Sequence, residues 1–174
     1  FIASMLSPVP GPESPAADDN VVFTASYYST PGHFAARRNA VPPAATASAL
    51  AGRRIAVQAG SVHQAFALTR FPNATLVPFA SVERARQALA EGDVDLVFAD
   101  RNALLRWTSG EGRDCCRLVG PNYAAPSFFG EGAGIALRAE DEALRNRMND
   151  ALSALVADGT YARISARYFS ASIY

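Results

Sequence analysis

The sequence predicts an α/β fold built on a parallel sheet. Between residues 50 and 107, short apolar runs typical of buried strands alternate with segments whose apolar residues recur at helical spacing. Strands and helices in this order form βαβ units, in which the strands lie parallel. With 49% hydrophobic and 18% charged residues among 174, the chain has the composition of a globular protein that buries a core.

Three strands of this sheet are predicted from short apolar runs. They cover residues 55–57, 75–77 and 94–98, and the third strand ends at Asp100. Because parallel strands end at the same side of a sheet, the residues that follow them should gather at one edge, where open α/β sheets bind ligands.

Helices are predicted between these strands from their caps and their spacing. Ser61 opens the first helix, and Ser81 caps the second, which ends at Gly92. A short third helix follows Asp100 and runs through Trp107. The apolar side of the first helix is expected to carry Val62, Ala65, Phe66 and Leu68.

The flanking segments predict further elements. Residues 1–5 are interpreted as the end of a buried strand, residues 7–20 as a loop, and residues 21–24 as a short strand. Residues 130–134 are glycine-rich and lead into another strand at residues 135–137, and a last helix is expected over 161–168. Between them, a long helix is predicted from an apolar face formed by Leu144, Met148, Ala151, Leu152 and Leu155.

Composition argues against several functional classes. Sixteen basic residues balance sixteen acidic ones without a basic block, so no nucleic-acid partner is expected. No apolar run is long enough to cross a membrane, and the first residues do not resemble a signal peptide. The neighbouring Cys115 and Cys116 lack the spacing of a zinc site and are expected to be two thiols, with a disulfide between them as the alternative. We therefore expect no metal and no cofactor.

The first candidate site is Gly60-Ser61-Val62-His63, where a strand ends and a helix begins. The N–H groups and the dipole of a helix N-terminus favour an anion, and the Ser61 hydroxyl is a further donor. A carboxylate is the expected ligand group. The alternative is that Ser61 only caps its helix.

Asp100, at the carboxyl end of the third strand, is the second candidate. A carboxylate at this edge of the sheet would hold a ligand ammonium group, and the alternative is an N-cap for the helix that begins near Arg101. The first candidate would bind a ligand carboxylate, and Asp100 would bind a ligand amine. Together they predict a pocket for a zwitterionic amino acid.

Catalytic motifs are not recognised in the sequence. The two histidines, His33 and His63, fit no known spacing of a Ser/His/Asp or Cys/His site. The glycine cluster at residues 130–134 precedes a strand, which is the wrong context for a dinucleotide-binding loop, and a tight crossing between lobes explains it better. The sequence therefore predicts a binding protein and not an enzyme.

Five segments, in chain order, together span most of the sequence. They are FTASYY (residues 23–28), LAGRRIAVQAGS (50–61), EGDVDLVFAD (91–100), FGEGAGIALR (129–138) and ADGTY with a later YF (157–161 and 168–169). These segments resemble motifs of the bacterial periplasmic solute-binding proteins of polar amino-acid ABC importers, in the branch that binds lysine, arginine, ornithine, histidine and opines. The resemblance implies a two-lobed periplasmic-binding-protein fold of type II, the Venus-flytrap fold.

The resemblance also implies how the chain divides. Residues 1–36 would be part of lobe 1, residues 37–128 a complete lobe 2, and residues 129–174 the return crossing and the C-terminal helices of lobe 1. Lobe 1 would be incomplete, because family members have a further β-α-β-α stretch before the strand that matches residues 1–5.

By the same resemblance, Asp100 would bind the α-amino group of the ligand, while Ser61 and the Val62 amide would bind its α-carboxylate. His63 occupies a position that often contacts the ligand. Ser4 and Ser7 match serines that line the first-lobe wall of the cleft.

The sequence departs from the family at one anchor of the ligand. Family members place an arginine shortly after the serine run to bind the carboxylate, whereas residues 7–20 contain no arginine. Loss of this ion pair would weaken binding by on the order of a few kcal/mol. Arg37 and Arg38 are candidate substitutes, although both are expected to be solvated near a crossing.

The predicted function is that of a receptor, periplasmic or lipid-anchored, for an ABC permease at the inner membrane. It would close around a polar, basic amino acid or an opine by hinge motion near residues 34–38 and 129–134. Two alternatives keep the fold: a periplasmic cyclohexadienyl or prephenate-type dehydratase, with Glu131 as its general acid, and the sensory domain of a histidine kinase. Apolar surface at the incomplete lobe, from Phe1, Ile2 and the C-terminal helices, predicts a homodimer as a further hypothesis.

Overall fold

The computed structural model describes residues 20–29, 31–40, 46–130 and 132–169. The chain divides into a first unit, formed by Phe1–Thr30 with Phe129–Tyr174, and a second unit, formed by Pro31–Phe128. The predicted first boundary, after residue 36, lies later in the chain than this division. The reason is that the strand Gly32–Arg37 belongs entirely to the sheet of the second unit.

In the first unit, two short strands from its two segments pair with each other. β1 (Val21–Phe23) lies antiparallel to β7 (Ala136–Arg138), where elements are numbered along the whole chain. A Cβ added at Gly134 would lie 2.9 Å from the Thr24 carbonyl oxygen, and one added at Gly132 would lie 2.5 Å from that of Tyr28. The glycine cluster therefore allows a close approach of two backbone segments inside the first unit.

Two helices follow β7 in the first unit, α5 (Glu142–Ala157) and α6 (Thr160–Ser165). The Ala25 N–H donates to Asn149 Oδ1 over 2.8 Å, which fixes α5 to the segment after β1. Neither helix has a fully buried residue in the described structure. The exposed large apolar side chains of these helices and of the turn after them are Leu155, Val156, Ile164 and Tyr168.

A five-stranded mixed sheet forms the centre of the second unit. Its strands are β2 (Gly32–Arg37), β3 (Arg54–Gln58), β4 (Thr75–Phe79), β5 (Leu96–Asp100) and β6 (Cys116–Tyr123), in the order β4-β3-β5-β2-β6. The strands β3, β4 and β5 are parallel, as the sequence predicts. The strands β2 and β6, whose pairing is not predicted from the sequence, are antiparallel to each other, and β2 is antiparallel to β5.

Four helices accompany this sheet: α1 (Val62–Arg70), α2 (Val82–Glu91), α3 (Arg101–Ser109) and the short α4 (Pro126–Phe129). The predicted caps are present in α2, where Ser81 Oγ accepts from the Arg84 N–H over 3.3 Å and Gly92 takes a left-handed conformation. The predicted apolar side of α1 is correct for Phe66. It is wrong for Val62, Ala65 and Leu68, because α1 buries only Phe66 and Ala67. Val62 and Leu68 are 42% and 58% exposed.

The two faces of the sheet carry different cores. One face packs small and branched side chains, among them Ala35, Ala56 and Val97, against residues of α2 and α3. The other face is aromatic: the rings of Phe34 and Phe98 lie 4.7 Å apart between centroids, and Phe66 of α1 stacks on Phe98 at 5.5 Å. The sheet is therefore a rigid platform for the loops at its ends.

Three further findings concern the cysteines, membrane-spanning helices and metal-binding clusters. Cys115 and Cys116 are joined in a disulfide, so the expectation of two thiols is wrong. Across the described ranges, no helix combines the length and the apolar character needed to span a bilayer. Within the same ranges, no three His, Cys, Asp or Glu side chains gather in a way that would hold a metal ion.

Candidate functional site

The carboxyl ends of β3 and β5 meet at one edge of the second unit, here called the carboxyl edge. The two strands are parallel neighbours, with Ile55 beside Leu96. Ser61 follows β3 and Asp100 ends β5, so the two predicted binding residues lie at the same edge. β2 begins there as well, since Gly32 pairs with Asp100.

Ser61 is the N-cap of α1. Its Oγ donates to the Gln58 carbonyl oxygen over 2.7 Å and accepts from the Gln64 N–H over 3.2 Å. The Gln64 side chain in turn accepts from the Gly60 N–H over 2.8 Å. The capping role is thus present, and the hydroxyl would have to leave Gln58 to donate to a ligand.

Val62 and His63 form the first turn of α1. Val62 is exposed, whereas the imidazole of His63 packs edge-on against Phe98, with 5.9 Å between ring centroids. Burial lowers the pKa of His63 to about 4. His63 is therefore a neutral imidazole at neutral pH, and contact between it and a ligand stays a prediction.

Asp100 is the N-cap of α3, because its Oδ1 accepts from the Ala103 N–H over 2.8 Å. Burial raises the pKa of the Asp100 carboxyl above its ordinary value, against the lowering effects of the Ala103 and Asn102 N–H groups and of Arg101 and Arg106. A cation that arrived beside this half-buried carboxylate would favour its charged form. The geometry therefore suits an ammonium group, in addition to the capping role.

Two residues of the carboxyl edge were not predicted, His33 and Arg101. His33 is buried on β2 opposite Ala99, and burial together with the Arg101 charge lowers its pKa to about 4. Arg101 directly follows Asp100, so its position in the sequence could have identified it as a residue of the carboxyl edge. No local signal exists for His33, because the pairing of β2 with β5 joins residues far apart in the sequence.

The proposed substitutes for the missing carboxylate anchor lie elsewhere. Arg37 Nη1 donates to the carbonyl oxygens of Leu89 and Val94 over 2.8 and 2.9 Å. Arg38 Nε donates to the Arg113 carbonyl oxygen over 2.6 Å. Both arginines stand at the other end of β2 from Gly32, so neither is part of the carboxyl edge. The predicted residues Ser4 and Ser7, and Glu131 of the dehydratase alternative, lie outside the described residues.

Comparison with known proteins gives a consistent result. A model of the bacterial extracellular solute-binding proteins, family 3, matches residues 13–171. The L-arginine-binding protein of Pseudomonas aeruginosa is 34% identical over 161 residues, and ABC transporter arginine-binding protein 1 of Escherichia coli is 31% identical over 156 residues. These alignments cover 89% and 90% of this chain, and 61% and 62% of the two relatives.

A solved structure supports the fold. The unliganded, open L-cystine solute receptor of Neisseria gonorrhoeae matches with a TM-score of 0.77 at 18% identity, over 95% of this chain and 66% of the receptor. The predicted fold of the type II periplasmic binding proteins is thereby confirmed. The chain spans about 62% of the length of the curated relatives it matches.

Proposed function

Because the chain belongs to the bacterial extracellular solute-binding proteins, family 3, we propose that it is the substrate-binding component of an ABC importer for a polar amino acid. The observation that carries the proposal is the carboxyl edge, where the N-terminus of α1 and the Asp100 carboxylate lie at the ends of neighbouring parallel strands. Donors for a carboxylate beside an acceptor for an ammonium group match the two charges of a free amino acid.

A basic amino acid or an opine is the proposed ligand class. Support comes from the names of the relatives, which are arginine-binding proteins. The family's two-lobed fold supports closure around the ligand by hinge motion, for which X-ray scattering should report a more compact particle when ligand is added.

The charge of Asp100 is the element to test first. Asp100→Asn keeps a side chain that caps helices well but removes the negative charge, so we expect amino-acid affinity to fall by roughly 100-fold or more. Calorimetry with L-arginine, L-lysine, L-histidine, L-glutamine and an opine measures the change. Asp114→Asn is the matched control, since Asp114 is 92% exposed and forms an ion pair with its neighbour Arg113.

Unchanged affinity in Asp100→Asn would remove Asp100 from the site. The proposed function itself fails if the wild-type chain binds none of these ligands, both as given and in a form extended to the length of its relatives.

We propose no catalysis for this chain. The relatives are named as binding proteins, and binding alone needs no cofactor. Turnover of a cyclohexadienyl acid by the purified protein would favour the dehydratase alternative instead.

The proposed location is the periplasm, or the outer side of a membrane through a lipid anchor, with an inner-membrane ABC permease as partner. The family description as extracellular supports this location. So does the Cys115–Cys116 disulfide, because disulfides persist in oxidising compartments. Crosslinking to the permease in whole cells, with loss of uptake when the gene is deleted, tests the partnership.

A homodimer is proposed as well, through the apolar surface of α5 and α6. Val156, Ile164 and Tyr168 are exposed there by 37%, 49% and 71%. Light scattering should then give twice the monomer mass, and a monomer at micromolar concentration would contradict this part of the proposal.

A further inference from the structure

A disulfide joins Cys115 and Cys116, which are neighbours in the chain at the start of β6. In the loop-entropy account, a disulfide stabilises a fold by restricting the unfolded chain, and the effect grows with the length of the loop that the bond closes. A bond between adjacent residues encloses no other residue. The Cys115–Cys116 bond therefore adds little to stability through the unfolded chain.

A disulfide with so small an effect on folding is also weakly protected from reduction. The free energy that a disulfide contributes to the folded state is the same free energy by which folding opposes its reduction, because the two processes form one thermodynamic cycle. Structural disulfides of secreted proteins typically resist reduction by glutathione. The Cys115–Cys116 bond lacks most of this protection.

The two sulfur atoms have different surroundings. Cys116 is fully buried and belongs to the core cluster that includes Ala35, Ala56 and Val97. Cys115 packs against this cluster but is partly exposed. Because thiol exchange begins at a sulfur that the reagent can reach, attack is expected at Cys115, with Cys116 as the leaving sulfur.

Backbone contacts hold both cysteines in place without the help of the disulfide. The Cys116 N–H donates to the Gly112 carbonyl oxygen over 2.9 Å, and the Cys115 carbonyl oxygen accepts from the Arg38 N–H over 2.8 Å. A reduced Cys116 also suits the core, because a free cysteine behaves as a small apolar residue. The fold therefore accommodates either the disulfide or two thiols.

We propose that Cys115 and Cys116 form a redox-active pair that exchanges reversibly with a small thiol such as glutathione. A reagent thiolate attacks Cys115 Sγ and forms a mixed disulfide, while the bond to Cys116 breaks and its electron pair passes to Cys116 Sγ, which takes up a proton. A second reagent thiolate attacks the reagent sulfur of the mixed disulfide and releases Cys115, which takes up a proton as well. In total, two reagent thiols are oxidised to one disulfide, and the protein gains two thiols. The exchange lies away from the carboxyl edge, which is at the other end of β6, where Tyr123 pairs with Gly32.

The first test uses the wild-type chain in its native form. The protein is incubated with roughly 10 mM reduced glutathione and then alkylated, and mass spectrometry measures how many chains carry two modified cysteines. We expect reduction of more than about half of the chains while circular dichroism stays unchanged. Reduction that occurs only after urea is added would overturn the proposal.

Thermal unfolding compares the oxidised and the reduced protein. The midpoint should differ by less than about 4 °C, because the bond encloses no loop. A larger fall on reduction would show that the disulfide is a structural one and would contradict the proposal.

Single variants test where the reagent attacks, and each removes one of the two sulfur atoms. Cys116→Ala leaves the partly exposed Cys115, and it should form a mixed disulfide with oxidised glutathione at least about tenfold faster than Cys115→Ala does. In the reduced wild type, where no core residue is changed, brief alkylation followed by peptide mapping should show Cys115 modified before Cys116. Equal reactivity of the two cysteines, or faster reaction of Cys116, would overturn the assignment of Cys115.

Discussion

Arg37 connects the sheet of the second unit to the end of a helix. Its guanidinium donates to Leu89 in the last turn of α2 and to Val94 in the following loop. A cation at the C-terminal end of a helix is stabilised by the helix dipole. Without Arg37, the Leu89 carbonyl oxygen keeps the Gly92 N–H at 3.3 Å, but both carbonyl groups lose a charged donor.

Arg37→Met should lower the free energy of unfolding by about 2–4 kcal/mol, because two charge-assisted hydrogen bonds to partly buried carbonyl groups are lost. Urea denaturation followed by circular dichroism measures this change. Arg38→Met is the control, with an expected loss under about 1 kcal/mol, since its bond to Arg113 is exposed. Equal losses in the two variants would contradict the role given to Arg37.

The two buried histidines make stability depend on pH. Their pKa is about 4 in the folded chain, against 6.5 as the ordinary value. Below pH 6.5 the unfolded chain therefore binds protons that the folded chain does not take up until about pH 4. The free energy of unfolding should fall as the pH is lowered from 6.5 to 4, by about 2–3 kcal/mol for His63. The contribution of His33 should be smaller, about 1–2 kcal/mol, because solvent screens its charge more strongly.

Urea denaturation at several pH values between 7 and 4 measures this decline, and the double variant His33→Gln, His63→Gln should show a much smaller one. An identical decline in wild type and double variant would assign the effect to carboxyl groups instead.

At this scale the sequence identifies candidate binding residues at the carboxyl ends of parallel strands. Ser61 and Asp100 are recognisable because a strand precedes each and a helix follows each. The same reasoning does not identify His33, because His33 lies at the carboxyl edge only through the antiparallel pairing of β2 with β5. The arginines show the limit most clearly, since only the structure reveals that Arg37 binds two carbonyl groups near the end of α2 whereas Arg101 lies at the carboxyl edge.

At the scale of elements, the βαβ pattern from β3 to α3 is predicted correctly. Each of its strands is a short apolar run, and each helix has a polar cap. The pairing of β2 with β6 is not predicted, because the two strands are far apart in the sequence and only the tertiary structure brings them together. The exposure of Val62 and Leu68 on α1 is not predicted for the same reason. Helical spacing predicts which side of a helix is apolar, but tertiary packing decides how much of that side is covered.

The pairing of β1 with β7 depends on a residue without a side chain. Gly134→Ala should lower the free energy of unfolding by about 1–3 kcal/mol, because its Cβ would lie 2.9 Å from the Thr24 carbonyl oxygen. Thermal or urea unfolding measures the loss. Gly52→Asn is the control: Gly52 has open space around it and a φ of 70°, which asparagine tolerates. Equal losses of unfolding free energy in the two variants would contradict the role given to close backbone contact at Gly134.

At the scale of the whole molecule, the second unit is one continuous piece of chain, whereas the first unit is made from two pieces. The second unit contains a complete sheet, with α2 and α3 packed on one face and α1 on the other. A domain with its own core and continuous chain is expected to fold alone.

The fragment Pro31–Phe128 should therefore unfold cooperatively in urea and show the circular dichroism of a mixed α/β protein. The complementary fragment Phe129–Tyr174 is the control and should be largely unfolded by itself, since α5 and α6 bury no residue completely in the described structure. A fragment Pro31–Phe128 without a cooperative transition would show that the second unit depends on the first.

From the antiparallel pairing of Gly32 with Tyr123, we expect the second unit to fold before the first unit. In the first unit, the Ile135 N–H and Thr24 Oγ1 are hydrogen-bonded although 111 residues separate them. Closing so long a loop in an unfolded chain is slow and entropically unfavourable. Once the second unit has folded, β2 and β6 hold the two ends of the intervening chain side by side. The first unit would then be completed by a short-range search, which can begin only after the chain has been synthesised as far as β7.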